Sequence, residues 1–301
     1  MAMGSYGTFG EQDDDLSVQT VHAALEAGIS FFDTAEGYGD GRSEKVLGRA
    51  LEGRRDEVVI ATKVSRGHLR EARLIESCEA SLECLRTDYI DVYQVHWPSR
   101  EIPFDETAEA LERLREQGKI RFWGVSNFGR LDLTDALGAA GRPEVDQLPY
   151  SLLWRVIEHE IVPICVDNDV SIICYSPMAQ GILTGKFASL DDVPEERARA
   201  RYCSEAGELA FEVVDELRAV SGELGEPMAD VALAWLLTRP GVAAVIAGMR
   251  APEQARQNAR AADVELPPQA VDRLTQASQP LMDAIDKNPD MWNAGERSRC
   301  R

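Results

Sequence analysis

The sequence is poor in basic residues and has no long apolar run. Lys and Arg number 32 against 52 Asp and Glu, which gives a formal net charge of -20. Nucleic-acid binding is therefore not expected, because a phosphate backbone is bound by clustered cations. No apolar stretch approaches the roughly 18 residues of a membrane span, and no signal-peptide pattern is present. We expect a chain that binds neither nucleic acid nor membrane.

Metal-ligand and disulfide patterns are also missing. The six cysteines form no CxxC pair and have no histidine at metal-ligand spacing, so we expect no metal site and a reduced, cytoplasmic protein. No GxGxxG opens a helix after a strand, which argues against a Rossmann dinucleotide site. A small anionic ligand would instead need a local positive pocket within this acidic chain.

The chain does contain repeated strand and helix patterns. Seven short β-branched or aromatic runs alternate mostly with segments of helical periodicity, a pattern typical of repeated β-α units. The runs are GISFF, VVIAT, DVYQV, IRFWGV, EVDQL, SIICY and VAAVI. An open seven-stranded sheet and a closed eight-stranded barrel both fit. The barrel needs one more strand, for which only residues 1–4 are available.

Polar residues stand at the ends of nearly all these runs. They are Asp33, Lys63, His96, Ser126 with Asn127, Gln147, Ser176, and Gly248 with Arg250. In a barrel of parallel strands, these ends meet at one face, where the active sites of such barrels are assembled. The alternative for any single position is that a strand simply stops where polarity begins.

Four of the polar residues suit the reduction of a carbonyl group. Tyr38 could donate a proton to the carbonyl oxygen, and Lys63 beside it is expected to lower the pKa of the phenol. Asp33 would hold Lys63, and His96 would hydrogen-bond the carbonyl oxygen. A buried ion pair and an ordinary loop tyrosine are the structural alternatives.

Two segments interrupt the repeat. Residues 180–203 read as a long loop that would act as a lid over the ligand face, with helical periodicity resuming at Glu208. Residues 279–301 read as a loosely packed polar tail. We therefore expect one domain over residues 1–278, followed by the tail.

On these motifs, the chain resembles the aldo-keto reductase superfamily, in its bacterial and potassium-channel β-subunit-like branch. The similar segments are FFDTAEGYGDGRSEKVLGRAL, ATK, DYIDVYQVHWP, GVSNF, YSPMAQGILTGK and IAGMRAPEQARQNA, in this order along nearly the whole chain. The resemblance implies a (β/α)8 TIM barrel that binds NADP(H) without a Rossmann motif. It also implies hydride transfer to a small-molecule carbonyl substrate, with Asp33, Tyr38, Lys63 and His96 as the catalytic residues.

The resemblance further implies the cofactor contacts. Ser126, Asn127 and Gln147 match positions that bind the nicotinamide carboxamide, and Tyr175 matches the aromatic residue that stacks on the ring. Backbone amides near Ser176, Gly181 and Leu183, together with Lys186, would approach the pyrophosphate. Gly248 and Arg250, before a helix expected near Pro252, suit a ribose 2′-phosphate, and Gln254 and Asn258 would meet the adenine.

The chain departs from the family at its beginning. Family members have an N-terminal hairpin and a full first strand, so we expect the first barrel strand to be truncated. The alternatives to an active enzyme are an NADP-binding regulatory subunit and a catalytically impaired fragment. The substrate and the oligomeric state are not predicted.

Overall fold

The structure is a computed structural model, and it describes residues 13–194, 202, 206–285, 287–292, 298 and 300. The chain divides into two compact units. One contains residues 1–147, 248–256 and 299–301, and the other contains residues 148–247 and 257–298.

The first unit alternates helices and strands. Its elements are α1 (Asp14–Glu26), β1 (Phe31–Asp33), α2 (Arg42–Ala50), β2 (Val59–Val64), α3 (Glu71–Leu85), β3 (Ile90–Val95), α4 (Phe104–Glu116), β4 (Ile120–Ser126), α5 (Arg130–Gly138) and β5 (Val145–Pro149), whose last two residues fall in the second unit. The strands are parallel and lie side by side in chain order. Consecutive strands paired in this way are joined by helical crossovers, as the repeated β-α pattern predicts.

The second unit contains two parallel strands and five helices among the described residues. These are α6 (Ile161–Asp167), β6 (Ser171–Tyr175), α7 (Gly207–Leu224), α8 (Met228–Leu237), β7 (Val242–Val245), α10 (Pro268–Ala277) and α11 (Gln279–Ala284). Between β7 and α10 lies α9 (Pro252–Arg260), which begins in the first unit and ends in the second.

Burial explains why the elements of the first unit form where they do. All six residues of β3 are buried, as expected for a strand covered on both faces. The buried residues of α3 are Leu74, Ser77, Cys78, Ser81 and Leu85, whose spacing of three and four places them on one helix face. At Gly48 in α2, an added Cβ would lie 2.6 Å from the carbonyl oxygen of Leu85 at the end of α3. A glycine is therefore required where these two helices cross.

The tail is more ordered at its start than the sequence predicts. Residues 279–284 form α11, in which Leu281 and Met282 are buried. Further along, the indole N–H of Trp292 donates to the hydroxyl of Tyr175 at 3.3 Å. The prediction of a loosely packed tail is therefore wrong for residues 279–284, because two apolar residues of this short helix reach the core of the second unit.

The strand predictions are confirmed. A strand, from β1 to β7, overlaps each of the seven predicted runs, and α7 begins one residue before the predicted restart at Glu208. Within the predicted lid, the described part forms short 3₁₀ turns at Ala179–Thr184 and Leu190–Asp192. The lid residues 195–201 and 203, and the truncated strand predicted at residues 1–4, lie outside the described residues.

Candidate active site

An ion pair between neighbouring strands forms the centre of the candidate site. Asp33 is the last residue of β1, and the register pairs it with Ala61 of β2. Lys63 lies two residues beyond Ala61 and therefore on the same face of the strand. Its ammonium donates to Asp33 Oδ1 at 2.5 Å and to the carbonyl oxygen of Thr34 at 2.7 Å. The side chains are 1% and 3% exposed, so this pair is almost fully removed from water.

Both members of this pair are charged. Burial alone would raise the pKa of Asp33, but the Lys63 charge and hydrogen bonds from Lys63 and Gln147 hold that pKa below its ordinary value. Burial alone would lower the pKa of Lys63, and the opposing charge of Asp33 keeps it above its ordinary value. A cation is thus fixed in a nearly dry environment, where its field acts strongly on neighbouring groups.

Tyr38 lies in the loop that follows β1. Its ring packs edge-on against the His96 ring at 5.7 Å between centroids, and Lys63 Nζ lies 5.3 Å from the centre of the phenol ring. Because two of the three ammonium protons are donated to Asp33 and Thr34, the third is available to the phenol oxygen. The structure therefore brings together the four side chains predicted to be catalytic.

Two opposing effects act on the pKa of Tyr38. Burial is the larger effect and raises this pKa above its ordinary value. The charge of Lys63 and its hydrogen bond act downward, as the sequence predicts, without overcoming burial. The phenol therefore carries its proton at neutral pH, which is the state that a proton donor needs.

A set of amide side chains surrounds the carboxylate of Asp33. The Gln147 amide donates to Asp33 Oδ2 at 2.8 Å and to Gln94 Oε1 at 3.3 Å, and the Gln94 amide donates to the same Asp33 oxygen at 3.3 Å. Gln94 is absent from the sequence-based prediction. It could have been found by alternation, since it lies two residues before His96 and shares its face of β3.

Ser126, the last residue of β4, and Asn127 directly after it connect this network to His96. The Ser126 hydroxyl donates to the carbonyl oxygen of Gln147 at 2.9 Å. The Asn127 amide donates to Ser126 Oγ and to the carbonyl oxygen of His96, both at 3.0 Å. Asn127 has a left-handed φ of 62°, which aims its side chain back across the strand ends. Three predicted nicotinamide ligands thus lie beside the ion pair in the first unit.

Carboxylates at the loop after β1 were also missed. Glu36 Oε1 accepts from the Ser65 amide at 2.6 Å and lies 2.9 Å from His68 Nδ1, so it joins the loop after β1 to the loop after β2. Glu44, in the first turn of α2, is 1% exposed and accepts from the Thr62 hydroxyl at 2.6 Å. The sequence gives no signal for either residue, because an acidic residue near a helix start is normally solvated.

In the second unit, the segment after β6 is sharply turned. Left-handed φ values occur at Ser176, Ala179, Gln180 and Gly181. An added Cβ at Gly181 would lie 2.5 Å from Lys186 Nζ, so the ammonium lies directly against this glycine. Glycine and a cation are therefore next to each other, which suits an anion.

Two of the predicted amide donors in this segment have an acceptor within the turn. The amides of Gly181 and Leu183 donate to the carbonyl oxygen of Met178 at 2.8 and 3.3 Å, so the turn itself uses the donors expected to meet a pyrophosphate. Of the predicted groups in this segment, the Lys186 charge and the Ser176 backbone are the better candidates for holding an anion. Tyr175 ends β6, immediately before the turn.

The last predicted group lies at the start of α9. This helix begins at Pro252, as predicted. Gly248 and Arg250 are exposed before it, and the Arg250 amide donates to Gln254 Oε1 at 2.7 Å. Asn258 lies four residues after Gln254 in the same helix, hence on the same helix face. This places a guanidinium at a helix N-terminus, an arrangement that favours phosphate.

The described residues contain neither a metal-binding cluster nor a membrane-spanning helix. No three His, Cys, Asp or Glu side chains there form a group that could hold a metal ion. In the same residues, no helix combines the length and the apolar character that crossing a membrane requires.

Comparison with known proteins identifies the family. A model of the aldo/keto reductase family matches residues 1–279. The chain is 35% identical over 260 residues to the aldo-keto reductase YhdN of Bacillus subtilis, covering 82% of this chain and 78% of YhdN. It is 32% identical over 306 residues to a probable voltage-gated potassium channel subunit beta of Arabidopsis thaliana, covering 93% and 92%.

A solved structure of an aldo-keto reductase is also similar to this chain. The crystal structure of an aldo-keto reductase from Klebsiella pneumoniae in complex with NADPH matches with a TM-score of 0.75 and 32% identity, covering 91% of this chain and 87% of the other. The chain belongs to the aldo/keto reductase family of oxidoreductases. The predicted α/β fold class of the (β/α)8 type is thereby confirmed.

Proposed function

We propose that this protein reduces aldehydes or ketones to alcohols with NADPH. The observation that carries the proposal is the buried Lys63–Asp33 ion pair beside a protonated tyrosine. A buried cation next to a phenol stabilises the phenolate that remains after the phenol has given its proton away.

The side chains divide the work of carbonyl reduction. Tyr38 gives its hydroxyl proton to the carbonyl oxygen as the C=O π bond breaks and a new C–H bond forms at the carbon. Lys63 stabilises the tyrosine anion, and Asp33 holds Lys63 in place and keeps it charged. His96, in edge contact with the Tyr38 ring, orients the carbonyl oxygen toward the phenol.

The residues present fit a nicotinamide cofactor. When bound, the reduced nicotinamide supplies the hydride. Ser126, Asn127 and Gln147 would hold its carboxamide, with the Asn127 amide already fixed at the His96 carbonyl. The other proposed cofactor contacts are the predicted ones: Tyr175, Ser176, Gly181, Leu183, Lys186, Gly248, Arg250, Gln254 and Asn258. Arg250 is the residue that we propose to favour NADPH over NADH, because a guanidinium matches a 2′-phosphate.

A regulatory role is the second candidate. The observation that favours it is the similarity to a probable channel β subunit over most of both chains. In that case the protein would bind the nucleotide and act through a protein partner. The edge contact between His96 and the Tyr38 ring favours the enzyme.

A binding and turnover measurement tests the proposal. The purified protein is titrated with NADPH and with NADH by fluorescence, and oxidation of the bound cofactor is followed with 4-nitrobenzaldehyde. We expect tight NADPH binding, weaker NADH binding and turnover. Tyr38→Phe should keep the NADPH affinity and lose about 100-fold to 10,000-fold in kcat.

Other outcomes would contradict the proposal. Near-normal turnover in Tyr38→Phe would show that Tyr38 is not the proton donor. NADPH binding without turnover on a broad carbonyl panel, together with one stoichiometric partner in a pull-down, would favour the regulatory subunit. Failure to bind either nucleotide would reject both candidates for this chain.

A further inference from the structure

Two consecutive residues at the start of α2 connect the proton donor to the ion pair. Ser43 and Glu44 lie in the first turn of the helix that follows the Tyr38 loop, and both are buried although both are polar. Buried polar side chains are retained where they make hydrogen bonds, so the partners of these two residues indicate what they do.

Ser43 connects Tyr38 with Lys63 through Thr34. The Ser43 amide donates to the carbonyl oxygen of Tyr38 at 3.2 Å. The Thr34 hydroxyl donates to Ser43 Oγ at 2.8 Å, and the Thr34 carbonyl accepts from Lys63 Nζ at 2.7 Å. The backbone of the proton donor and the ammonium are therefore joined through only two intervening residues.

Glu44 makes the corresponding contact with the strand that carries Lys63. The Thr62 hydroxyl donates to Glu44 Oε1 at 2.6 Å, and Thr62 directly precedes Lys63 in β2. Because neighbouring residues of a strand point to opposite faces, Lys63 faces the ion pair while Thr62 faces α2. The hydrogen bond between Thr62 and Glu44 thus fixes the start of α2 against β2, on the strand face opposite to the Lys63 side chain.

A short turn joins Tyr38 to α2, and the Tyr38 amide itself donates to the carbonyl oxygen of Ala35 at 3.0 Å. The chain between Tyr38 and α2 is a tight turn, since left-handed φ values of 62°, 50° and 79° occur at Gly39, Asp40 and Gly41. The turn should therefore move together with the start of the helix. The Gly41 amide closes the turn on the carbonyl oxygen of Glu36 at 2.8 Å. A shift of α2 along β2 would therefore carry Tyr38 with it and change its distance from Lys63.

The surroundings of Glu44 suit a fixed structural bond. Burial raises the pKa of Glu44, with the Glu36 carboxylate acting in the same direction, while hydrogen bonds from Thr62 and Ser81 and the Lys63 charge act downward. The short bond from the Thr62 hydroxyl therefore satisfies a carboxyl that is removed from water, as a buried acceptor requires.

We propose that Glu44 is a positioning residue for proton transfer, acting through Thr62 and α2 to set the distance between Tyr38 and Lys63. The inference rests on the proposed carbonyl reduction for its effect on turnover. Its effect on the Tyr38 environment is independent of that reaction. Reacting groups displaced by about 1 Å can lose about 100-fold in rate, so a loosened α2 should be visible in kcat.

The test uses four variants that break or keep the same bond from either partner. Glu44→Ala and Thr62→Val remove it, whereas Glu44→Gln and Thr62→Ser keep an acceptor or a hydroxyl donor in place. The measurements are kcat, KM, the NADPH dissociation constant, and the Tyr38 pKa from ¹³Cζ-tyrosine NMR, assigned with Tyr38→Phe. Circular dichroism and thermal unfolding identify any variant that does not fold.

We expect the two bond-removing variants to lose about tenfold or more in kcat, with NADPH affinity nearly unchanged. In both, the Tyr38 pKa should rise by a similar amount, because the lowering effect of the Lys63 charge weakens with distance. Glu44→Gln and Thr62→Ser should resemble the wild type in every measurement.

The inference is overturned if folded Glu44→Ala and Thr62→Val leave the Tyr38 pKa where it is. It is also overturned if Glu44→Gln loses as much activity as Glu44→Ala, since the carboxyl would then act through its charge. If the wild type shows no turnover but the Tyr38 pKa moves as expected, the positioning role stands and the proposed function fails.

Discussion

Replacing Asp33 by asparagine is the sharpest test of the ion pair, because it removes one charge and leaves the shape almost unchanged. Lys63 would keep its bond to the Thr34 carbonyl but lose its counter-charge in a nearly dry position. Removing one partner of a buried pair typically costs about 3–5 kcal/mol in the free energy of unfolding. We expect Asp33→Asn to lose stability in this range and to lose most activity.

The double variant Asp33→Asn with Lys63→Met is the matched control. It removes both charges, so it leaves no uncompensated cation, and replacing a whole buried pair with uncharged groups is often nearly neutral. We expect the double variant to be more stable than the sum of the single losses by at least about 2 kcal/mol. Urea unfolding followed by circular dichroism measures all four proteins.

The pH dependence of this contribution follows from the two pKa shifts. The pKa of Asp33 is lowered, so its contribution is present above the unfolded value of about 4 and is lost as pH falls through the folded value. The pKa of Lys63 is raised, so its contribution is present below about 10.4 and is lost as pH rises through the folded value. In Asp33→Asn, burial without the Asp33 charge should put the pKa of Lys63 below its ordinary value. The stability difference between wild type and Asp33→Asn should therefore shrink as pH rises toward about 10, and also as pH falls below about 4. A cost below about 1 kcal/mol at pH 7, or additive single losses, would refute a buried, charged pair.

Two further predictions concern the scaffold of the first unit. Asp146 is fully buried, neither carboxyl oxygen has a well-formed hydrogen bond, and burial raises its pKa well above the ordinary value. A raised carboxyl pKa makes stability fall as pH rises above the unfolded value, so Asp146→Asn should be more stable than wild type by about 1 kcal/mol or more at pH 7. That gain should vanish below about pH 4, and an equal gain at both pH values in urea unfolding would contradict it. Gly48→Ala should destabilise by about 1–3 kcal/mol, since its Cβ would meet the Leu85 backbone, whereas Gly222→Ala in α7, with nothing within 4 Å, should stabilise by about 0.5–1 kcal/mol. Thermal unfolding compares the two, and equal shifts would show that helix propensity rather than the α2–α3 contact decides.

The fold was largely readable from the chain because strands and helices repeat with different periods. Short β-branched runs predict β1 to β7, and the helix start at Pro252 follows from a proline after a glycine-containing loop. The packing of the first part of the tail was not predicted, because α11 has only six residues and only Leu281 and Met282 among them are buried. Such a short helix forms by packing, which composition does not reveal.

The candidate site was readable to a similar degree but for a different reason. Asp33, Lys63 and His96 end parallel strands, so their convergence follows from topology. The net pKa of Tyr38 was not readable, since it depends on how far burial outweighs the charge of Lys63. Glu44 was not readable either, because whether an acidic side chain near a helix start is solvated or buried depends on the strand behind it.

Deuterium transfer in a single turnover tests the central claim most directly. The protein, in excess over NADPH deuterated at either C4 position, is mixed with 4-nitrobenzaldehyde, and the alcohol product is analysed by mass spectrometry. We expect deuterium on the carbinol carbon from one of the two C4 positions, with the rate lowered about 100-fold or more in Tyr38→Phe at unchanged NADPH affinity. Alcohol without deuterium, or transfer by Tyr38→Phe at the wild-type rate, would contradict it.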